Sequence, residues 1–459
     1  MNRVLLEKNV LNDKINGLSD KEIGEKYSIN LKKIEQIITK EKGVNVSNIN
    51  TSKKLRKLAP KDFSLESNTV WSFKSRGNWA THNGNYRGNW SPYIPRNIIL
   101  RYSQENDLVL DYFCGSGTTA VECKLLNRNF IGIDINEKAI ELAKDNLNFE
   151  YLFGGSVELK VADARNLSFL KDCSIDLICS HPPYSNIINY TYDNELDLSH
   201  LDTENFLNEI KKVAEESFRV LKDEKYCAIL IGDMRKNKNV VPLGFWTIEK
   251  YLQAGFKIKE MIIKRQHNCK TTGFWYNNSI KYNFLLLAHE YLVVFQKTNK
   301  NDYFDEIADE QDFTISFADA DDIYLETTTV WIANTLDYFD IAINNLAQRY
   351  SVNFCIINSV FNKSADLIIY LFDSKIDEFI YKIQSAKRNS IVAILCEDKR
   401  LINGLVHSEP LFIEKKLRDN EFLKIKEIVI LTLENNNQIN SSENLNINHK
   451  YLLIYQKVK

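Results

Sequence analysis

A run of apolar segments occurs twice in this chain, in the same order. AILIGD at 228–233 returns as AILCED at 393–398, and IEKYLQ at 248–253 returns as IEKKLR at 413–418. FKIKEMII at 256–263 returns as LKIKEIVI at 423–430, and EYLVVFQK at 290–297 returns as KYLLIYQK at 450–457. SIDLICS and SADLIIY form a looser pair upstream of both sets. Shared β-propensity explains one such match but not four in order, so the later half of a sheet is repeated. The apolar runs alternate with helical stretches, the pattern of an α/β fold with a largely parallel sheet. A length of 459 residues is ample for two such units.

The pattern divides the chain into a helical unit at 1–45, a basic linker at 46–65, an α/β domain at 66–300, an acidic linker at 301–324 and a second α/β domain at 325–459. Strands of the first domain are expected at 108–112, 129–134, 158–161, 175–180, 226–231, 256–264 and 290–296. In the helical unit, Ser19 and Glu22 form a capping box ahead of Ile23 and Tyr27. After a turn at Ser28–Asn30, Leu31, Ile34, Ile37 and Ile38 repeat at helical spacing. Helix, short turn and helix resemble a helix-turn-helix unit, with Lys32, Lys33 and Gln36 facing outward. A helical hairpin packed on the body or on a partner fits the same pattern.

The chemistry concentrates in two motifs of the first domain. DYFCGSGTT, Asp111 to Thr119, follows the strand at 108–112. Gly115 and Gly117 let the backbone turn tightly beside a ligand, and Thr118 and Thr119 open the next helix, whose free N–H groups favour a carboxylate. Asp134 ends the following strand, FIGID, where it suits a pair of ribose hydroxyls. Asp163 stands after the next strand and can accept from an adenine amine. No lysine sits where a phosphate-binding loop needs one.

The second motif is HPPY, His181 to Tyr184, after the apolar run 175–179. An aromatic amine is a poor nucleophile because its lone pair is delocalised into the ring. Acceptors that hold both amine protons draw the nitrogen towards tetrahedral geometry and free that lone pair. Pro182 and Pro183 rigidify the carbonyls of His181 and Pro182 as such acceptors, and Tyr184 can stack on a base flipped out of its helix. In the second domain the matching stretch is Tyr370-Leu371-Phe372-Asp373, without prolines and without a glycine loop before it. That domain reads as a degenerate copy that has kept strands and lost chemistry.

A formal net charge of −2 argues against a globally basic coat on nucleic acid, but the charge is unevenly spread. Residues 1–60 carry 13 Lys or Arg against 7 acids, and residues 301–330 carry ten acids with no Lys or Arg. Nucleic-acid contacts are expected from Arg235 and Lys236 after one strand end, and from Lys264, Arg265, His267, Asn268 and Lys270 ahead of Phe274-Trp275-Tyr276. The eight cysteines are scattered, so neither structural zinc nor a disulfide framework is expected, and no metal site is. No apolar run reaches membrane-spanning length, and the expected location is the cytoplasm.

DYFCGSGTT, NRNFIGIDIN at 127–136 and HPPY together resemble the motifs of S-adenosylmethionine-dependent DNA methyltransferases that act on exocyclic amines, adenine N6 or cytosine N4. RGNWSPYIPRNIILRYS, 87–103, resembles that family's cofactor-side helix element. The resemblance covers about residues 70–300 and implies a class I methyltransferase, Rossmann-like sheet with S-adenosylmethionine as cofactor. It implies that Asp111, Phe113, Gly115 and Gly117 line the methionine end of the cofactor, that Asp134 holds its ribose, and that His181, Pro182, Pro183 and Tyr184 bind the target base; Thr118 and Asp163 join the expected cofactor contacts on the reading of the residues above. Double-stranded DNA is the implied partner, with a homodimer or a restriction-system subunit as further partners. The family's first catalytic position is usually Asp, Asn or Ser, and here it is His181. The glycine loop also precedes HPPY, unlike the common permuted order. RNA base methylation, or a non-catalytic cofactor-binding role, stays open on these residues.

Overall fold

The computed structural model describes residues 3–16, 18–30, 33–34, 37, 55, 57–61, 63–151, 155–185, 190–191, 194–267, 270–300, 325–333, 338–350, 354–356, 361–433 and 444–459. The acidic linker 301–324, Lys32, Gln36 and Asn268 therefore lie outside the described residues.

Among the described residues ten strands fall in the first half: β1 (Val70–Trp71), β2 (Leu108–Asp111), β3 (Asn129–Asp134), β4 (Val157–Val161), β5 (Ile175–Ser180), β6 (Leu221–Ile231), β7 (Met234–Lys236), β8 (Asn239–Val241), β9 (Lys257–Arg265) and β10 (His289–Gln296). Eight of them form one sheet in the order β1-β9-β10-β6-β5-β2-β3-β4. Every neighbouring pair runs parallel except those of β10, which is antiparallel to β6 and β9. Strands covered on both faces need apolar side chains throughout, and β5 and β10 are buried at every position. This is the class I methyltransferase plan, a Rossmann-like sheet closed by one reversed strand.

The second half supplies β11 (Val330–Ala333), β12 (Phe354–Ile356), β13 (Leu367–Leu371), β14 (Ile391–Cys396), β15 (Asp398–Arg400), β16 (Val406–Ser408), β17 (Leu423–Leu433) and β18 (His449–Lys457). Its six-stranded sheet has the order β11-β17-β18-β14-β13-β12, again with only β18 reversed. Position by position this reproduces the first sheet from β1 to β2, and each repeated sequence segment occupies the equivalent element. Even the hairpin β7–β8 has its counterpart in β15–β16.

Two elements depart from the sequence expectation. The residues after Met234, for which no strand was expected, form the β7–β8 hairpin, turned by Asn237 and Lys238 at φ 52 and 66. The connection before β10 carries a helix, Lys270–Tyr282. At the N-terminus, helices Arg3–Ile15 and Asp20–Tyr27 enclose a small core of Val10, Ile23, Ile34 and Ile37, and the capping box at Ser19 and Glu22 is formed. Among the described residues no helix is long and apolar enough to cross a membrane.

Candidate active site

The carboxyl ends of β2, β3 and β5 open on one cleft, where the strand order reverses at β2 and the loops part to either side. Its walls include Gly115, Thr118, Asp134, Asp163, His181 and Pro183, so the glycine loop and HPPY share one space. Gly115 and Gly117 take φ of +50 and +80, a conformation that side chains resist. A Cβ on Gly115 would stand 3.1 Å from the Tyr86 ring, so the loop runs flush against that wall.

Asp134 accepts from the backbone N–H of Gly115 (3.0 Å) and of Asn136 (2.9 Å), which fixes its carboxylate at the rim of the cleft. Burial nevertheless raises it to about 6, since the two backbone donors only partly offset desolvation. Asp111 also lines the cleft, but its oxygens are occupied. Ser180 (2.6 Å), Thr119 (2.6 Å) and the Phe113 N–H (3.1 Å) all donate to it. It ties the ends of β2 and β5 together, and burial raises it to about 6 as well. Asp163 is held by Arg165, with Nε to Oδ1 at 2.9 Å and Nη2 to Oδ2 at 2.7 Å.

On the other side of the cleft, the His181 ring stacks on Trp90 with centroids 5.6 Å apart. Its Nε2 lies 2.8 Å from the Tyr184 hydroxyl, which in turn donates to Glu290 Oε1 at 2.8 Å. Lys264 closes the network on Glu290 Oε2 at 2.7 Å. Burial lowers His181 to about 4, so the ring is neutral at physiological pH. Burial raises Glu290, but the charge of Lys264 and the bonds from Lys264 and Tyr184 outweigh it and bring it to about 2. Tyr184 gives its one proton to that carboxylate while His181 Nε2 stays packed against the same hydroxyl, and the Gly88 carbonyl also draws on the ring. The imidazole nitrogen nearest the tyrosine is thereby spent, and the carbonyls of the motif remain as acceptors.

Two expected nucleic-acid contacts are corrected. Arg235 points into the protein: it donates to both oxygens of Glu427 in the second half (3.1 and 2.6 Å) and to the Leu285 carbonyl (2.7 Å). A guanidinium so occupied has no face left for phosphate. Lys264 is the internal cation of the Glu290 network. Lys236 is exposed, Arg265 ends β9 and is half-buried, and His267 Nε2 pairs with Ser72 Oγ at 2.8 Å. Lys270 begins its helix, and its side chain is outside the described residues, while Trp275 and Tyr276 farther along are exposed.

Trp90 and Glu290 belong to the site without being singled out by either motif. Trp90 sits in the stretch at 87–103, just ahead of its helix. Glu290 is the acid near the start of β10, and its counterpart in the repeat is Lys450, a charge reversal visible in the aligned segments. Among the described residues no group of His, Cys, Asp and Glu could hold a metal ion.

Residues 12–145 match the family model for DNA methylase, and residues 103–271 match one for a methyltransferase domain. Together these matches run from the N-terminal helices through most of the first sheet, so this part of the chain is similar to DNA methylases and to methyltransferase domains. Among curated relatives, Type II methyltransferase M.HpaI of Haemophilus parainfluenzae is 37% identical over 135 residues, 28% of this chain and 39% of that protein. Type II methyltransferase M2.LlaDCHI of Lactococcus lactis subsp. cremoris is 42% identical over 88 residues, 18% of this chain and 32% of that protein. The chain thus spans well under half the length of these relatives. A solved SAM-dependent methyltransferase of Methanosarcina mazei is similar at 20% identity and a TM-score of 0.32, over 44% of this chain and 98% of that one. Residues 103–271, which carry the methyltransferase-domain match, hold both motifs, and both family matches end before the second sheet begins.

Proposed function

We propose that this protein methylates an exocyclic amine of a base in double-stranded DNA, adenine N6 or cytosine N4, at a specific site and within a restriction-modification system of the cytoplasm. The observation that carries the reading is the single cleft shared by the glycine loop with Asp134 and by HPPY. S-adenosylmethionine supplies an electrophilic methyl group on its sulfonium sulfur. Asp134 accepts from the ribose hydroxyls, Asp163 accepts from the adenine amine, and the flush turn at Gly115 and Gly117 admits the methionine end beside Phe113 and Thr118. The target base lies against Tyr184, whose hydroxyl is tethered by Glu290, so the ring cannot swing away. The carbonyls of His181 and Pro182 take the two amine protons and aim the lone pair at the methyl carbon. Transfer then rests on positioning, which contributes most of what such a reaction needs. After transfer the amine sheds one proton, and no strong side-chain base is required.

Around this cleft, Lys236, Arg265, His267 and the helix carrying Trp275 and Tyr276 are the surface that meets the DNA backbone and base edges. The experiment is incubation of the full chain with S-adenosylmethionine and duplex DNA, followed by mass spectrometry of the nucleosides. N6-methyladenine or N4-methylcytosine is expected. Methylation of structured RNA but not of duplex DNA would replace the substrate, and no transfer to either would overturn the reading.

A further inference from the structure

The two halves meet through contacts that are reciprocal, bond for bond. Thr329 of the second half lies 2.9 Å from His289 Nδ1 of the first, and Thr69 of the first lies 2.7 Å from His449 Nδ1 of the second. Each threonine oxygen also accepts a backbone N–H, Ala288 at 3.0 Å and Asn448 at 3.1 Å. Each histidine continues through Nε2 to a tyrosine hydroxyl at 3.0 Å, Tyr291 or Tyr451, and each tyrosine donates to an aspartate at 2.9 Å, Asp233 or Asp398. Arg235 to Glu427 is answered by Arg400 to Glu260. The backbone agrees: Leu286 bridges Thr328, and Asn446 bridges Asn68. A face that meets a related copy of itself through swapped identical contacts is isologous, the geometry of a twofold dimer. Here both copies belong to one chain.

One difference between the two ends of this pseudo-dimer bears on the base site. His289 begins β10 with its ring towards the second half, and the next residue, Glu290, points to the opposite face by the alternation of a strand. That face is the base site, where Glu290 grips Tyr184. Four bonds from Thr327 and Thr329 sew residues 286–289 in place: Leu286 N–H to the Thr327 carbonyl (2.8 Å), Thr329 N–H to the Leu286 carbonyl (2.9 Å), and the Ala288 N–H and His289 ring to the Thr329 hydroxyl. In the mirror position the residue after His449 is Lys450, paired with Glu397 at 2.9 Å, and no proline motif faces it.

We infer that the C-terminal half is a second subunit fused in cis, and that Thr329 is a positioning residue that sets β10, and through Glu290 the catalytic tyrosine, for methyl transfer. The inference rests on the proposed methyltransferase activity. It explains why a degenerate copy is kept. The copy fills the face that a second catalytic chain would otherwise occupy, and it holds the base clamp in register from behind. The full chain works as a monomer with one cofactor site.

The built-in symmetry supplies the control. Thr329→Val and Thr69→Val remove the same hydroxyl from equivalent buried places, and Thr329→Ser restores it. For each full-length variant, cofactor affinity, kcat and KM for duplex DNA, and the midpoint of thermal unfolding would be measured, with light scattering for mass. Both valine variants are expected to lose similar stability. Only Thr329→Val is expected to lose kcat, by tenfold or more, at unchanged cofactor affinity, with Thr329→Ser recovering it. Equal kcat in the two valine variants would overturn the positioning role while leaving the activity intact. A dimeric wild-type chain would overturn the fused-subunit reading. A wild-type chain that transfers no methyl group removes the activity and the inference with it.

Discussion

Replacing Arg235 by Met tests the join between the halves and the correction of that residue's role together. Glu427 is 1% exposed and takes both guanidinium bonds plus the Leu285 N–H at 3.1 Å. Without the arginine, a buried carboxylate keeps one neutral donor and loses the cation bonded to it, with Lys426 left as a more distant charge. Breaking a buried pair from one side costs about 3–5 kcal/mol. The entropy of unfolding is about 2.1 cal/mol/K per residue, so for 459 residues that cost lowers the melting midpoint by about 3–5 °C. The mirror variant Arg400→Met leaves Glu260, fully buried, in the same position beside the Leu445 N–H, and the same loss is expected. Arg235→Met combined with Glu427→Gln keeps an acceptor for Leu285 and removes the charge, so most of the loss should return. Calorimetry on these variants and the wild type gives the numbers. DNA affinity measured against salt should keep its wild-type slope in Arg235→Met, because a residue turned inward releases no counterions. A slope shallower by about one, or a double variant no more stable than the single, would refute the reasoning.

Cofactor affinity should rise with pH through about 6, because Asp134, raised to about 6 by burial, offers both oxygens to the ribose hydroxyls, and in stronger bonds, once ionised. Asp111 titrates in the same window, so calorimetric titration of Asp134→Asn from pH 5 to 8 separates them: the variant should bind weakly and lose most of the pH dependence. Gly115→Ala should weaken cofactor binding about tenfold, roughly the 1–2 kcal/mol of a side chain forced to positive φ, here with Tyr86 at 3.1 Å, and equilibrium binding checks it. Tyr184→Phe keeps the ring but frees it from Glu290, so kcat should fall while Tyr184→Ala abolishes transfer; steady-state methylation with equal kcat for Tyr184→Phe and wild type would show that the tether is idle.

The repeat and the two motifs were legible because each is local: strand segments carry their own apolar pattern, and glycine and proline state their backbone needs within a few residues. That locality also brought the glycine loop and HPPY to one cleft, since strand order follows from parallel crossovers. What stayed hidden was set by distance along the chain. Arg235 and Lys264 look alike in sequence, basic residues at strand ends, and the partners that turn them inward, Glu427 and Glu290, stand 192 and 26 residues away. A charge read without its partner is assigned to solvent by default, and from there to DNA. The repeat held the missing information in its differences. The segment matches put Glu290 opposite Lys450 and the glutamates Glu260 and Glu427 in equivalent strands. Where a copied element keeps a buried charge in both copies, as at Glu260 and Glu427, that charge serves the join common to both; where the copies differ in sign, as at Glu290 and Lys450, it serves a contact that one copy alone contains, here the hold on Tyr184.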